Sequence, residues 1–194
     1  MRRRENFPVG SALIRRDLRA AVLAFYAFAR TADDAADDPA LPAAERLARL
    51  DAFEAGLDGA PGGAPEGPAL LAALRPLGRE GAAAHARQLL RAFRRDAAGG
   101  DCRTWADLLA YCEDSANPVG RFLLDLHGEG AAARGPADSL CTALQVLNHL
   151  QDLRADHLTL ARRYLPLDWL AQEGLGPEAL GADRAAPGLL RALA

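Results

Sequence analysis

The chain's 194 residues predict one domain spanning 1–194, and a composition half hydrophobic and a quarter charged excludes wholesale disorder. Its 23 basic and 26 acidic side chains leave a formal net charge of −3, no footprint for a polyanion, so nucleic acid is excluded as the default partner. Cys102, Cys112 and Cys141 form no C-x-x-C pair and are too few for a disulfide framework, which fits a reducing, cytoplasmic setting.

Valine, isoleucine and threonine together supply only nine residues, while alanine, leucine and arginine abound, so the fold class is all-α. The first helix is predicted over 11–37. Its uncharged stretch, Ala20 to Ala29, is about half of a membrane span and runs into aspartates instead of a cleavage site, so neither anchor nor signal peptide is expected. Leu18, Ala21, Val22, Leu23, Phe25 and Phe28 spread around the wheel and predict a helix buried mid-domain. It ends in Asp33-Asp34-Ala-Ala-Asp37-Asp38, where i,i+4 carboxylates repel and oppose the macrodipole. Either the helix has already ended near Thr31 and the aspartates are a solvated loop, or a cation offsets the penalty. Tyr26, Arg30, Asp33 and Asp37 fall on one stripe, which points the carboxylates into the protein or a cavity.

Helices over 42–57, 69–75, 79–97, 103–115 and 118–127 follow, with Asp58 to Pro68 and Ala97 to Asp101 as loops. The helix over 137–160 carries a second oxygen-rich stripe, Gln145, Asn148, Asp152 and Asp156. Leu140, Ala143, Leu144, Val146, Leu147, Leu150 and Leu153 occupy the rest of its circumference. A polar stripe opposite an apolar face is also what an ordinary surface helix shows. His149 is read as falling toward the polar outside and is not assigned to the site. A helix over 167–173 and a Gly/Pro-punctuated tail complete the chain.

Two oxygen-ligand sets without Cys or His suit a hard cation such as Mg²⁺, which takes one or two carboxylates and completes its shell with water and phosphate. Facing Asp-bearing helices would make a clamp for a diphosphate.

The first stripe, Tyr26-x-x-x-Arg30-x-x-Asp33-Asp34-x-x-Asp37, and the second, Gln145-x-x-Asn148-x-x-x-Asp152-x-x-x-Asp156, resemble the two aspartate-rich motifs of the squalene/phytoene synthase family. Tyr111-Cys-Glu-Asp-Ser-Ala-Asn-Pro-Val-Gly120 and Arg162-Arg163-Tyr164-Leu165-Pro166 resemble two further segments of that family, in the same order. Glu5-Asn6-Phe7-Pro8-Val9 and Ser115-Ala-Asn-Pro-Val-Gly-Arg121 are similar to its hydroxysqualene synthase branch, found in bacterial hopanoid pathways.

The resemblance implies an isoprenoid synthase helical bundle with a central apolar cavity, incomplete here because family members continue with further helices beyond the position of Ala194. It implies that Asp33, Asp37, Asn148, Asp152 and Asp156 hold Mg²⁺ bridging to the substrate diphosphate. Arg30 and Gln145 would contact the diphosphate or the liganding carboxylates, and Tyr26, Tyr111 and Tyr164 would surround the reacting carbons. Phe7, Val22, Phe25, Ala116, Val119 and Leu144 are the expected cavity wall. The implied reaction converts presqualene diphosphate to hydroxysqualene with release of diphosphate, without NAD(P)H, and no glycine-rich dinucleotide fingerprint is present. The alternatives are head-to-head condensation of two prenyl diphosphates, or an inactive helical binding protein of the same fold. Two departures stand beside this: Glu113 and Asp114 add negative charge next to Tyr111, and Ala161 stands where glycine is common, which puts the loop before Tyr164 in question. Arg2-Arg3-Arg4 and the hydrocarbon substrate class make peripheral contact with the inner membrane face a further expectation.

Overall fold

The computed structural model describes residues 14–182 and 187–193; the remainder, including Arg2 to Arg4 and Phe7, lies outside the described residues. Every regular element among those described is helical. The first helix, α1 (Arg19–Ala36), begins later than expected: a turn precedes it, and the Arg19 guanidinium donates to the Ile14 carbonyl at 3.0 Å. It buries Ala21, Val22, Phe25, Phe28, Ala32, Ala35 and Ala36, and the alanines let neighbours approach closely. α2 (Ala43–Leu57), α3 (Glu66–Leu74) and α4 (Ala83–Ala97) all pack on it. The main core joins Phe25 and Phe28 to Leu50, Leu70, Leu74, Leu89, Leu90 and Phe93. Phe25 stacks on Phe122 with centroids 3.9 Å apart, and Phe28 meets Phe53 edge-on at 5.4 Å.

Two boundaries differ from expectation for one reason. α3 starts at Glu66 and takes in Pro68, and α7 (Arg134–Leu160) starts at Arg134 and takes in Pro136. First-turn amides lack intrahelical acceptors, so proline fits there without breaking the helix. Gly56 and Gly67 let α2 and α3 touch backbone to backbone, since a Cβ on Gly67 would strike the Gly56–Leu57 peptide.

α5 (Trp105–Ser115) opens with a capping box, Thr104 accepting from the Asp107 amide at 3.2 Å and Asp107 accepting from the Thr104 amide at 2.9 Å. α6 (Asn117–His127) follows at once and packs along α7. Arg121 on α6 ties three helices together: it bonds Glu113 of α5 at 2.6 Å and Asp138 of α7 at 2.6 and 2.8 Å. Glu113 is therefore an outer brace and not a charge beside the Tyr111 ring. Asp114 likewise turns outward, to Gln88 at 3.1 Å.

The helix expected over 167–173 is α8 (Leu167–Gln172), and the Gly/Pro-punctuated tail after it contains a 3₁₀ turn at Pro177–Gly181 and α9 (Pro187–Ala192), all held by a small core of Leu165, Leu170, Leu180 and Leu189. No helix among the described residues is long and apolar enough to cross a membrane.

Candidate active site

Helical hydrogen bonding in α1 runs to its end, with the Asp37 amide donating to the Asp33 carbonyl at 2.9 Å, so the aspartates belong to the helix and not to a loop after Thr31. The face turned to the core is narrower than the wheel suggested. Leu23 is half exposed, Tyr26 and Arg30 are half-buried, and Asp34 is exposed. Arg30 lies 2.7 Å from Asp34 and 3.6 Å from Asp33. Asp33 keeps an edge in solvent, but its burial and the like charge of Asp37 push its carboxyl up to about 7, against the pull of Arg30 and Arg162.

Asp37 has a different environment. The Arg162 guanidinium, from the segment after α7, lies 2.6 Å from its carboxylate. Arg162 is buried; desolvation works against its charge, but Asp96 and Asp37 more than offset this and hold it above the ordinary arginine range. The same residue's amide donates to the Asp156 carbonyl at 3.2 Å. Arg162 thereby ties the ends of the two acidic stripes. Asp156 is buried, while Gln145, Asn148 and Asp152 are half-buried along α7. Among the described residues no three carboxylate, thiol or imidazole side chains converge as a ready metal cage.

On the other side of Arg162 lies Asp96 of α4, 3.9 Å away and buried. Tyr111 donates to one oxygen of Asp96 at 2.7 Å and Tyr164 to the other at 3.0 Å; the two phenol oxygens are 3.4 Å apart. Burial pushes the Asp96 carboxyl up to about 6, with Arg162 and the two phenols holding it down from there. Burial, and then the Asp96 charge, keeps both phenols well above the usual tyrosine range, so both stay protonated.

Tyr164 is buried against Tyr111 and His149 despite Ala161, which closes α7 in the left-handed conformation (φ +53°) that glycine adopts freely. Two irregular segments pair around it: the Cys102 amide donates to the Arg163 carbonyl at 3.0 Å, and the Leu167 and Asp168 amides donate to Cys102 and Arg103 at 3.2 and 3.0 Å. Arg163 adds an ion pair to Asp101 at 2.9 Å. Arg95 stands over the Tyr111 ring, 5.5 Å from its centroid.

Three expectations need correction. His149 does not face outward; it is buried, stacks on Tyr164 at 3.9 Å and 20°, and sits 3.3 Å from the Gln145 amide nitrogen. Burial lowers its pKa to about 3, so the ring is neutral. The side of α7 read as apolar packing instead carries exposed leucines, Leu140, Leu144 and Leu147 among them, so none of the described residues packs over it. Val22 and Phe25 are main-core packing, with Ala116 buried at the α5–α6 junction and Val119 half-buried against that core. An apolar cavity of about 160 Å³ does exist, but it lies beside the tyrosines, lined by Trp105, Leu108, Val146, His149, Tyr164 and Trp169 among others and by none of the predicted acidic ligands.

Sequence reasoning passed over Asp96, and a signal was there: Leu89, Phe93 and Ala97 form an apolar stripe at steps of four, and Asp96 stands on it, three residues after Phe93.

Comparison with known proteins gives a consistent picture. A family model described as Squalene/phytoene synthase matches residues 1–194. A hydroxysqualene synthase of Sinorhizobium fredii is 45% identical over 193 residues, covering 100% of this chain and 65% of that protein. One from Rhodopseudomonas palustris is 44% identical over 191 residues, with coverages of 98% and 65%. The chain thus spans about 65% of the length of these curated relatives. Among solved structures, the squalene synthase HpnC of Alicyclobacillus acidocaldarius superposes with a TM-score of 0.80 at 38% identity, covering 97% of this chain and 71% of that one.

Proposed function

The chain belongs to the squalene/phytoene synthase family, and on that premise we propose that it acts on a prenyl diphosphate, converting presqualene diphosphate to hydroxysqualene with release of diphosphate. The observation that carries this reading is the continuous buried connection from the first acidic stripe, through Arg162, to the phenols of Tyr111 and Tyr164. It sets an anion-handling end beside an aromatic end, which is what ionising an allylic or cyclopropylcarbinyl diphosphate calls for.

The acidic residues fit Mg²⁺: they are oxygen donors, and burial and the like charge of Asp37 raise the pKa of Asp33 even with Arg30 3.6 Å away, which marks carboxylate charge that the neighbouring arginines do not fully offset. Asp33, Asp37, Asn148, Asp152 and Asp156 would hold it. When bound, Mg²⁺ supplies Lewis-acid stabilisation of charge on the departing diphosphate. No redox cofactor is part of the proposal.

The chain's own residues do the rest. Arg30 and Gln145 border the two stripes and offer donors to diphosphate oxygens. Tyr111 and Tyr164 contribute aromatic rings, and their protonated phenols are held on Asp96, which fixes where the hydroxyls point. His149 stays neutral and adds no opposing positive charge. Tyr26 lies one turn from Arg30 on the same stripe and is half-buried. The substrate's apolar character also supports transient contact with a membrane surface from a cytoplasmic location.

The test is a thermal melt with Mg²⁺ and a non-hydrolysable farnesyl diphosphate analogue, separately and together, followed by product analysis with presqualene diphosphate. A stabilisation of about 2.7 kcal/mol at a hundredfold excess over Kd, needing both additives and lost in Asp33→Asn or Asp152→Asn, is expected. No shift in a cooperatively melting protein overturns an active enzyme and leaves the inactive binding protein. The structural likeness to a squalene synthase favours head-to-head condensation as the second reading, and a hydrocarbon product instead of an alcohol would select it.

A further inference from the structure

Asp96 stands apart from both acidic stripes, yet it accepts both buried phenols. Each of its carboxylate oxygens takes one hydroxyl, 2.7 Å from Tyr111 and 3.0 Å from Tyr164. Fold stability gives a poor account of this arrangement. A carboxylate on the apolar stripe of α4 costs desolvation that a leucine there would avoid, and a buried ion pair is weak evidence of stabilisation. Arg162 does not explain it either, because its short contact, 2.6 Å, goes to Asp37 and its 3.9 Å contact to Asp96 is loose. What the carboxylate does uniquely is hold two ring orientations at once. The rings tilt at 42° with centroids 4.9 Å apart, with His149 stacked on one and Arg95 over the other.

We infer that Asp96 is a positioning residue that fixes Tyr111 and Tyr164 as a pair, with Arg162 linking that pair to Asp37 so that the aromatic and diphosphate-handling ends keep one spacing. This rests on the reading above, in which the tyrosines border the reacting carbons. Asp96 touches no substrate; it acts through the two phenols.

Tyrosine offers a direct optical test, because the chain has only three tyrosines and two of them are in this pair. The Raman Fermi doublet of tyrosine reports whether a phenol donates to a strong acceptor. In Asp96→Asn the doublet is expected to move away from the strong-donor pattern, while the thermal shift with Mg²⁺ and the farnesyl analogue persists. With presqualene diphosphate, kcat is expected to fall about a hundredfold with little change in KM, as for a misplacement near 1 Å. Adding Asp96→Asn to a Tyr111→Phe/Tyr164→Phe background is expected to cause no further loss, since its route of action is already gone. An unchanged doublet, or the same fold loss in the double-Phe background, overturns the inference. Should Asp96→Asn fail to fold, the difference between the parent and double-Phe spectra isolates the two buried phenols, and a weak-donor pattern there overturns it as well. Should the parent chain turn over no substrate, the positioning role falls with the proposed function, while the doublet still decides whether Asp96 holds the phenols.

Discussion

The Arg162 guanidinium lies 2.6 Å from the Asp37 carboxylate, joining the segment after α7 to the end of α1. Because Arg162 is buried, removing its charge strips Asp37 of its 2.6 Å partner and leaves Asp96 with its two phenols but without a nearby positive charge. Arg162→Met is expected to cost about 3 to 5 kcal/mol, and Arg162→Lys less, read from urea unfolding at neutral pH. A loss below about 1 kcal/mol for the methionine variant would show that the pair is solvated like a surface ion pair.

Asp33 gives stability a pH dependence of known sign. Its carboxyl takes up a proton near 7 in the folded chain and near 3.8 when unfolded, so between these values the folded state binds more protons. Its contribution to stability is complete below the lower value and is lost as pH rises through the upper one. Asp96, raised to about 6, adds the same trend. Asp33→Asn is expected to flatten the decline in urea midpoint between about pH 4 and about pH 7. Mg²⁺ is expected to raise the parent's midpoint more at the alkaline end, and an Mg²⁺ effect equal at both ends would argue against this carboxylate as its ligand.

Ala161 holds a left-handed backbone without being glycine. Ala161→Gly should relieve about 1 kcal/mol of that strain, less what the unfolded chain gains in freedom. Differential scanning calorimetry should show a higher Tm, and a lower one would mean that the alanine methyl packs usefully.

Leu140, Leu144 and Leu147 lie on the open side of α7 with more than half of each side chain exposed. Replacing all three with glutamine should change stability by no more than about 0.5 kcal/mol per site while lowering binding of a hydrophobic dye. A large destabilisation would show that these leucines are covered in solution.

How far the sequence could be read depended on whether a residue's surroundings were local. The stripes of α1 and α7 follow from helical spacing alone, so the end-on tie of Asp37 and Asp156 to one arginine adds to them without displacing them. Tyr111 and Tyr164 were legible from their motifs. His149 and Asp96 were not, because helical spacing on its own does not say which polar position on α7 or α4 another segment will cover. The segment around Tyr164 covers both, and it is held by hydrogen bonds to residues Cys102 and Arg103, far away in the chain. The leucine face of α7 failed in the opposite direction: apolar periodicity says which side wants covering, not whether this stretch of chain covers it.

Trp105 and Trp169 are the chain's only tryptophans, and they stack at 5.5 Å and 14° where α8 meets the start of α5. All indole absorption and emission therefore comes from one joint, and two nearly parallel indoles at that separation should couple as an exciton pair in near-ultraviolet circular dichroism. Undocking of α8 would extinguish that couplet while leaving far-ultraviolet helicity almost untouched, so the last helical segments carry their own optical gauge of local opening, separable from the melting of the bundle around α1.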